Sequence, residues 1–223
     1  MRKEQIGTST LFHCDCMELM KQYPDKHFQL AIIDPPYGIG NHSLHNFRSH
    51  GRRECKYDKR INEWDIAPEP EYFQELFRVS KYHIIWGGNY FNLPPSRNFI
   101  IYNKTNISDN ICLSQCEYAW TNIQGNSKIY NHFPKPNNGR IHPTEKPISL
   151  YKWLLSKYAK QGDKILDTHF GSGSIAVACN ELGFELTASE IDEDYFNAAC
   201  KRIKEAAKQG DLFSEATGNG KSA

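Results

Sequence analysis

The sequence predicts an α/β fold on a largely parallel sheet, and three observations carry that prediction. Strand-like segments alternate with amphipathic helical ones along most of the chain. A greasy run, Leu30-Ala31-Ile32-Ile33, stops at Asp34-Pro35-Pro36-Tyr37, as a buried strand does on leaving a sheet. Far downstream, KILDTHFGSGSIAVACNELGFELTASEID reads as strand, glycine turn, helix and strand in succession.

In chain order, strands are expected at 10–13, 28–33, 83–86, 99–102, 117–121, 164–166 and 185–188. Between them, residues 69–79 place Tyr72, Phe73, Leu76 and Phe77 on one helical face. Ile148, Tyr151, Leu155 and Tyr158 recur at helical spacing, and so do Phe196, Ala199, Ile203 and Ala206. Residues 174–182 supply the helix after the glycine turn. Residues 1–207 are read as one domain with insertions near 41–62 and 122–141. The Gly-, Ser- and Asn-rich stretch 208–223 is read as an unstructured tail. The two prolines fix φ and remove two backbone donors, so neither sheet nor helix runs through them, and the tetrapeptide is held stiff.

Composition narrows the function. A chain of 223 residues, 39% hydrophobic and 13% aromatic, is long enough to bury a core. A formal net charge of +1 excludes a whole-molecule basic field, so any nucleic-acid contact must come from local clusters. Seven cysteines show no Cys-x-x-Cys pair, and no leader or long apolar run is visible, which predicts a reduced, cytoplasmic protein without a membrane span. His42, His45, His50 and Cys55 match the spacing of no common zinc module, so no metal is expected.

The downstream stretch has the arrangement that binds an adenosine-bearing cofactor. Asp167 ends a strand, Gly171-Ser172-Gly173 lets the backbone approach a ligand, and Glu190 stands 23 residues on, placed for ribose hydroxyls. The absence of a full G-x-G-x-x-G counts against a dinucleotide.

Together, DPPY and D-x-x-x-G-x-G resemble the catalytic and cofactor motifs of the S-adenosylmethionine-dependent amino-methyltransferases of DNA, of the phage and restriction-modification type. HCDCMELMK at 13–21, WGGNYF at 86–91, EYAWT at 117–121 and HPTEKP at 142–147 match that family in the same order, and the likeness spans roughly residues 10 to 203. The resemblance implies a Rossmann-like methyltransferase fold with a mostly parallel seven-stranded sheet. Because the catalytic half precedes the cofactor half, it implies the circularly permuted β group. It implies a catalytic set of Asp34, Pro35, Pro36 and Tyr37. It implies a cofactor set of Asp15, Asp34, Lys146, Asp167, Phe170, Gly171, Ser172, Gly173 and Glu190 around S-adenosyl-L-methionine, with Lys146 meeting the methionine carboxylate. The chain departs from the family's usual Asp-Pro-Phe, and His169 stands at the aromatic position, where packing is expected of it.

The chemistry explains the stiff tetrapeptide. An exocyclic amino group is a poor nucleophile because its lone pair is delocalised into the base. The Asp34 carboxylate and Pro35 carbonyl can each accept one of its N–H bonds, and Tyr37 can stack on a base flipped from the duplex. Residues 41–60 carry a surplus of four positive charges, with Arg48, Arg52, Arg53 and Lys56 as candidate phosphate contacts. Residues 122–140 hold Lys128, Lys135 and Arg140, five asparagines and no acid, which suits base-edge readout of double-stranded DNA. Such short segments imply a short site or a second subunit, so a homodimer and a cognate restriction endonuclease are candidate partners. In the family, Asp rather than Ser at position 34 favours adenine N6. Cytosine N4 is the alternative, and a catalytically silent DNA-binding protein of the same fold is the other.

Overall fold

The computed structural model describes residues 1–39, 65–107, 114–134 and 145–218, with side chains as far as 208. The candidate contacts Arg48, Arg52, Arg53, Lys56, Lys135 and Arg140, and the histidines of 41–50, lie outside the described residues.

The strands are β1 (Arg2–Ile6), β2 (Ser9–His13), β3 (Phe28–Ile33), β4 (Ser80–Trp86), β5 (Phe99–Lys104), β6 (Cys116–Thr121), β7 (Lys128–His132), β8 (Lys164–Asp167) and β9 (Glu185–Glu190). The helices among the described residues are α1 (Cys16–Met20), α2 (Pro70–Val79), α3 (Ile148–Tyr158), α4 (Ser174–Leu182) and α5 (Glu193–Gly218). The strands form one sheet in the order β1-β2-β9-β8-β3-β4-β6-β5-β7. This is nine strands among the described residues where seven are expected. The extra two, β1 and β7, are the edges, added antiparallel to β2 and parallel to β5.

The inner seven form the permuted arrangement. β3 pairs in parallel with β8, although the two lie more than 130 residues apart, and β9 leads in parallel to β2. Only β6 runs against its neighbours in the interior, between β4 and β5. The carboxyl ends of β2, β3, β4, β5, β8 and β9 and the amino end of β6 therefore share one edge of the sheet. In a parallel sheet, ligands bind at that edge.

The central strands are apolar on both faces because helices cover both. Leu30 and Ile32 join Ile84, Trp86, Leu150, Leu154 and Ile165 in one cluster. Ala31 and Ile33, pointing the other way, join Phe73, Leu76, Ile85 and Met20 in the second. Helix α2 starts with Pro70 in its first turn and buries Tyr72, Phe73, Leu76 and Val79. Its stripe ends on Val79, while Phe77 is only partly buried. In α3 the buried residues are Leu150, Tyr151, Leu154 and Leu155. This face is rotated from the expected one, because α3 also packs against α4. Pro147 precedes α3 as its N-cap rather than lying in its first turn. Helix α4 is buried from Ser174 to Cys179, held between the sheet, α3 and α5. Helix α5 continues to Gly218, past the boundary at 208 where the composition suggests a tail.

Candidate active site

The path after β3 is fixed from outside the tetrapeptide. The backbone N–H groups of Tyr37 and Gly38 both donate to Asp65 Oδ1, at 2.9 and 2.9 Å. A side-chain carboxylate thus accepts from the two N–H groups that follow Pro35 and Pro36, where the strand ladder has ended. The Tyr37 hydroxyl folds back and donates to Asp34 Oδ1 at 2.7 Å. Its ring stacks on Tyr90, with centroids 5.1 Å apart and planes 22° apart, and meets Phe91 edge-on. Burial, with the charges of Asp34 and Glu117, raises the Tyr37 phenol well above its ordinary value, so it stays a neutral donor.

Gly87 makes room for that ring. It follows β4 in the left-handed region at φ 67°, and a Cβ there would lie 2.2 Å from the Tyr37 ring. The sequence WGGNYF is therefore the floor beneath Tyr37: β4 ends at Trp86, Gly87 admits the ring, and Tyr90 stacks on it.

Asp34 Oδ2 accepts from the Lys146 ammonium, which also donates to Glu117 Oε2 at 3.1 Å. Glu117 Oε1 in turn pairs with Lys104 at 2.5 Å. Lys146 is fully buried, with its ammonium 5.0 Å from the centre of the Trp86 ring. Burial alone would lower the Lys146 pKa, but Asp34 and Glu117 more than offset it and the value is raised. Burial opposes ionisation of Glu117 as well, yet Lys146 and Lys104 pull it down to about 2. The Lys146 expected at the methionine carboxylate is thus engaged by two protein carboxylates.

Asp167, at the end of β8, is buried and accepts from the backbone N–H of His169 at 3.0 Å. Burial, then the negative charges of Asp34 and Glu190, push it up to about 8. Glu190 ends β9. Its Oε2 accepts from Gly171 N–H and its Oε1 from Asp192 N–H, each at 3.0 Å, and burial still raises its pKa. The acid thereby ties the glycine turn to the neighbouring strand. Gly173, at φ 76°, precedes α4, and a Cβ there would meet Ile203 at 2.9 Å, so α5 packs directly on the turn. From α5, Arg202 donates to Ser172 C=O at 3.1 Å and pairs with Glu145 at 2.9 Å.

The other residues singled out from the sequence are placed as follows. Asp15 caps α1, accepting from Met17 and Glu18 N–H at 2.8 and 3.3 Å. Phe170 turns its ring into the core against Phe196, 6.0 Å away. His169 packs edge-on to Tyr72 with Nδ1 3.0 Å from Thr168 Oγ1, and burial lowers its pKa to about 4, leaving it neutral. Lys128 opens β7, at the end of that strand away from the catalytic edge, roughly 13 Å from its carboxyl end.

Asp65, Glu117, Lys104 and Arg202 adjoin the candidate residues, although the sequence reading named none of them as site residues. Glu117 carried a signal: it is a single acid inside EYAWT, heading an otherwise uncharged strand. Asp65 and Arg202 carried none, since the Tyr37 and Gly38 N–H groups and the Ser172 carbonyl and Glu145 carboxylate are brought to them only by folding.

Among the described residues no His, Cys, Asp or Glu cluster is arranged to hold a metal ion, and no helix is long and apolar enough to cross a membrane. The acids that converge here suit a cation of another kind.

The sequence profile of a family described as DNA methylase matches residues 81–201. Among curated proteins, a putative methylase, YubD of Escherichia coli (strain K12), is 25% identical over 219 residues, covering 88% of this chain and 92% of its own. The Type II methyltransferase M.HinfI of Haemophilus influenzae is 25% identical over 258 residues, covering 92% and 71%. Among solved structures, a complex of M1.HpyAVI with SAM superimposes with a TM-score of 0.57 at 20% identity, over 87% of this chain and 98% of that one. The PvuII cytosine-N4-specific DNA methyltransferase gives 0.57 at 11% identity, over 93% and 96%.

Proposed function

The chain belongs to the DNA methylase family, and from that premise we propose that it methylates the N6 amino group of adenine in duplex DNA, using S-adenosylmethionine. The observation that carries the reading is Asp34. It is a carboxylate at the carboxyl end of β3, held by Lys146 on one oxygen and reached by a displaceable tyrosine hydroxyl on the other.

S-adenosylmethionine, when bound, supplies a methyl group already activated on a sulfonium. The residues that would hold it are Asp167, the Gly171-Ser172-Gly173 turn and Glu190, with Asp15 at the cap of α1, just past the end of β2, the strand beside β9. The donor set fits: burial raises the pKa of both Asp167 and Glu190, Asp167 further through the charges of Asp34 and Glu190, and a cationic ligand favours their ionised forms.

The remaining work is positioning and electrostatics. The target base, flipped from the duplex, displaces the Tyr37 hydroxyl from Asp34 Oδ1 and puts one amino N–H there. The second N–H goes to the Pro35 carbonyl, whose direction the Pro36 ring fixes. Two acceptors draw the nitrogen toward tetrahedral geometry and localise its lone pair. Asp34 then takes the proton that the nitrogen sheds after alkylation and passes it to solvent. The Tyr37 ring stacks on the base.

Asp rather than Ser at position 34 supports adenine over cytosine N4, since the family associates the acid with adenine. The experiment is nucleoside mass spectrometry of duplex DNA treated with the purified protein and cofactor. N6-methyladenine is expected; N4-methylcytosine in its place overturns the choice of base.

A further inference from the structure

We propose that Glu117 is a positioning residue for methyl transfer, sharing Lys146 with Asp34 so that Asp34 remains a strong acceptor for the target amino group. The inference rests on the catalytic reading of Asp34.

Lys146 is buried, so its charge acts at short range with little solvent screening. If Asp34 were its sole partner, the ammonium would draw negative charge toward Oδ2 and weaken Oδ1, the oxygen that faces the target. Glu117 draws it the other way, through Oε2 at 3.1 Å. Lys104 balances Glu117 from β5 at 2.5 Å, so the two acids and two ammonium groups form a neutral set. Remove the Glu117 charge and two ammonium groups face one carboxylate. The other charged and titratable groups around the set are Tyr37, the buried phenol of Tyr151 from α3, and Asp167 from β8. None of them replaces a second anion on Lys146: the phenols stay neutral, and Asp167 holds its proton up to about pH 8.

Glu117 comes from β6, the interior strand that runs against its neighbours, so its first residues reach the catalytic edge. A carboxylate serving only the sheet could pair with Lys104 alone. Bridging to the lysine that holds Asp34 is what assigns it to the reaction.

The experiment compares wild type with Glu117→Gln, Lys146→Met, the double variant, Glu117→Asp and Asp34→Ala. It reads single-turnover methyl transfer, and cofactor affinity by calorimetry. Glu117→Gln is expected to slow transfer by about tenfold or more, as loss of electrostatic support one residue removed from the reacting atoms, with cofactor affinity unchanged. Glu117→Asp, which keeps a second anion for Lys146, is expected to recover much of the lost rate. In the Lys146→Met background Glu117→Gln should cost nothing further. The double variant also removes opposite buried charges together, which keeps a folded comparison at hand if Glu117→Gln alone does not fold.

A wild-type rate for Glu117→Gln beside an inactive Asp34→Ala overturns this proposal alone. So does a Glu117→Asp variant no faster than Glu117→Gln, or additive losses in the double variant. Full activity in Asp34→Ala overturns the catalytic reading and this proposal with it.

Discussion

The Tyr37 hydroxyl donates to Asp34 Oδ1, the oxygen proposed to accept from the target amino group. The hydroxyl is therefore a stand-in, and its loss frees the acceptor. Tyr37→Phe is expected to transfer methyl within a few-fold of wild type, because stacking uses the ring. Tyr37→Ala, which loses about 1–3 kcal/mol of base stacking, should be severely impaired. Equal defects in both, measured in single turnover, would mean that the hydroxyl itself is required. Asp167 gives a pH signature. Its folded-state pKa of about 8 exceeds the ordinary 3.8, so it is neutral in the free protein at pH 7. This favours folding fully only below the ordinary value, and the contribution is lost as pH rises through about 8. Binding a cation expels the proton. Cofactor affinity should therefore climb from pH 6 to about 8, by at most about tenfold per unit. Calorimetry in buffers of different ionisation enthalpy should register the released proton. Asp167→Asn should flatten the climb while keeping any titration of the cofactor's own amine; a flat wild-type profile would contradict the assignment.

The junction after β4 shows how an element serves the site. Gly87 combines φ 67° with a ring 2.2 Å from where its Cβ would be, so Gly87→Ala must both strain the backbone and move Tyr37. Transfer is expected to fall as in Tyr37→Ala, with cofactor affinity retained; a wild-type rate would show that the ring has another resting place. In the same strand Ile84 is fully buried between β3 and β6, and Ile84→Ala should cost about 2–5 kcal/mol in chemical denaturation without selective loss of catalysis. The buried strands were the legible ones: β3, helix α4 and the glycine turn have the limits or position that their apolar runs indicate. Arg2–Ile6 and Lys128–His132 were not, because edge strands show little hydrophobic alternation. Helix α1, at five residues, is too short to display a period and depends on its Asp15 cap. The site divides the same way. Asp34, Asp167 and Glu190 end strands and stand in motifs. The partnership of Lys146 with Asp34 and Glu117 joins three segments far apart in sequence, and no spacing encodes it.

At the scale of the whole molecule, the parallel sheet gathers Asp34, Glu117, Asp167 and Glu190 at one edge, from β3, β6, β8 and β9 and the turn beyond β3. Lys146 and Lys104 neutralise Asp34 and Glu117 there, so this edge offers phosphate no surplus of positive charge among the described residues, and duplex binding must draw on charge elsewhere. The basic stretch at 41–60 is separated by three residues from the Asp34-Pro35-Pro36-Tyr37 tetrapeptide. If Arg52, Arg53 and Lys56 hold phosphates, alanine at each should weaken DNA binding without altering sequence preference. The log–log salt slope should fall by about 0.9 for every phosphate no longer neutralised. Unchanged slopes in all three would remove the stretch from the interface. The central claim is that Asp34 is the acceptor that makes the amino group a nucleophile, and single-turnover transfer of labelled methyl to duplex DNA by Asp34→Ala tests it most directly. With cofactor binding intact by calorimetry, the rate should drop by about 10²–10³-fold or more, whereas a rate equal to wild type would contradict the account.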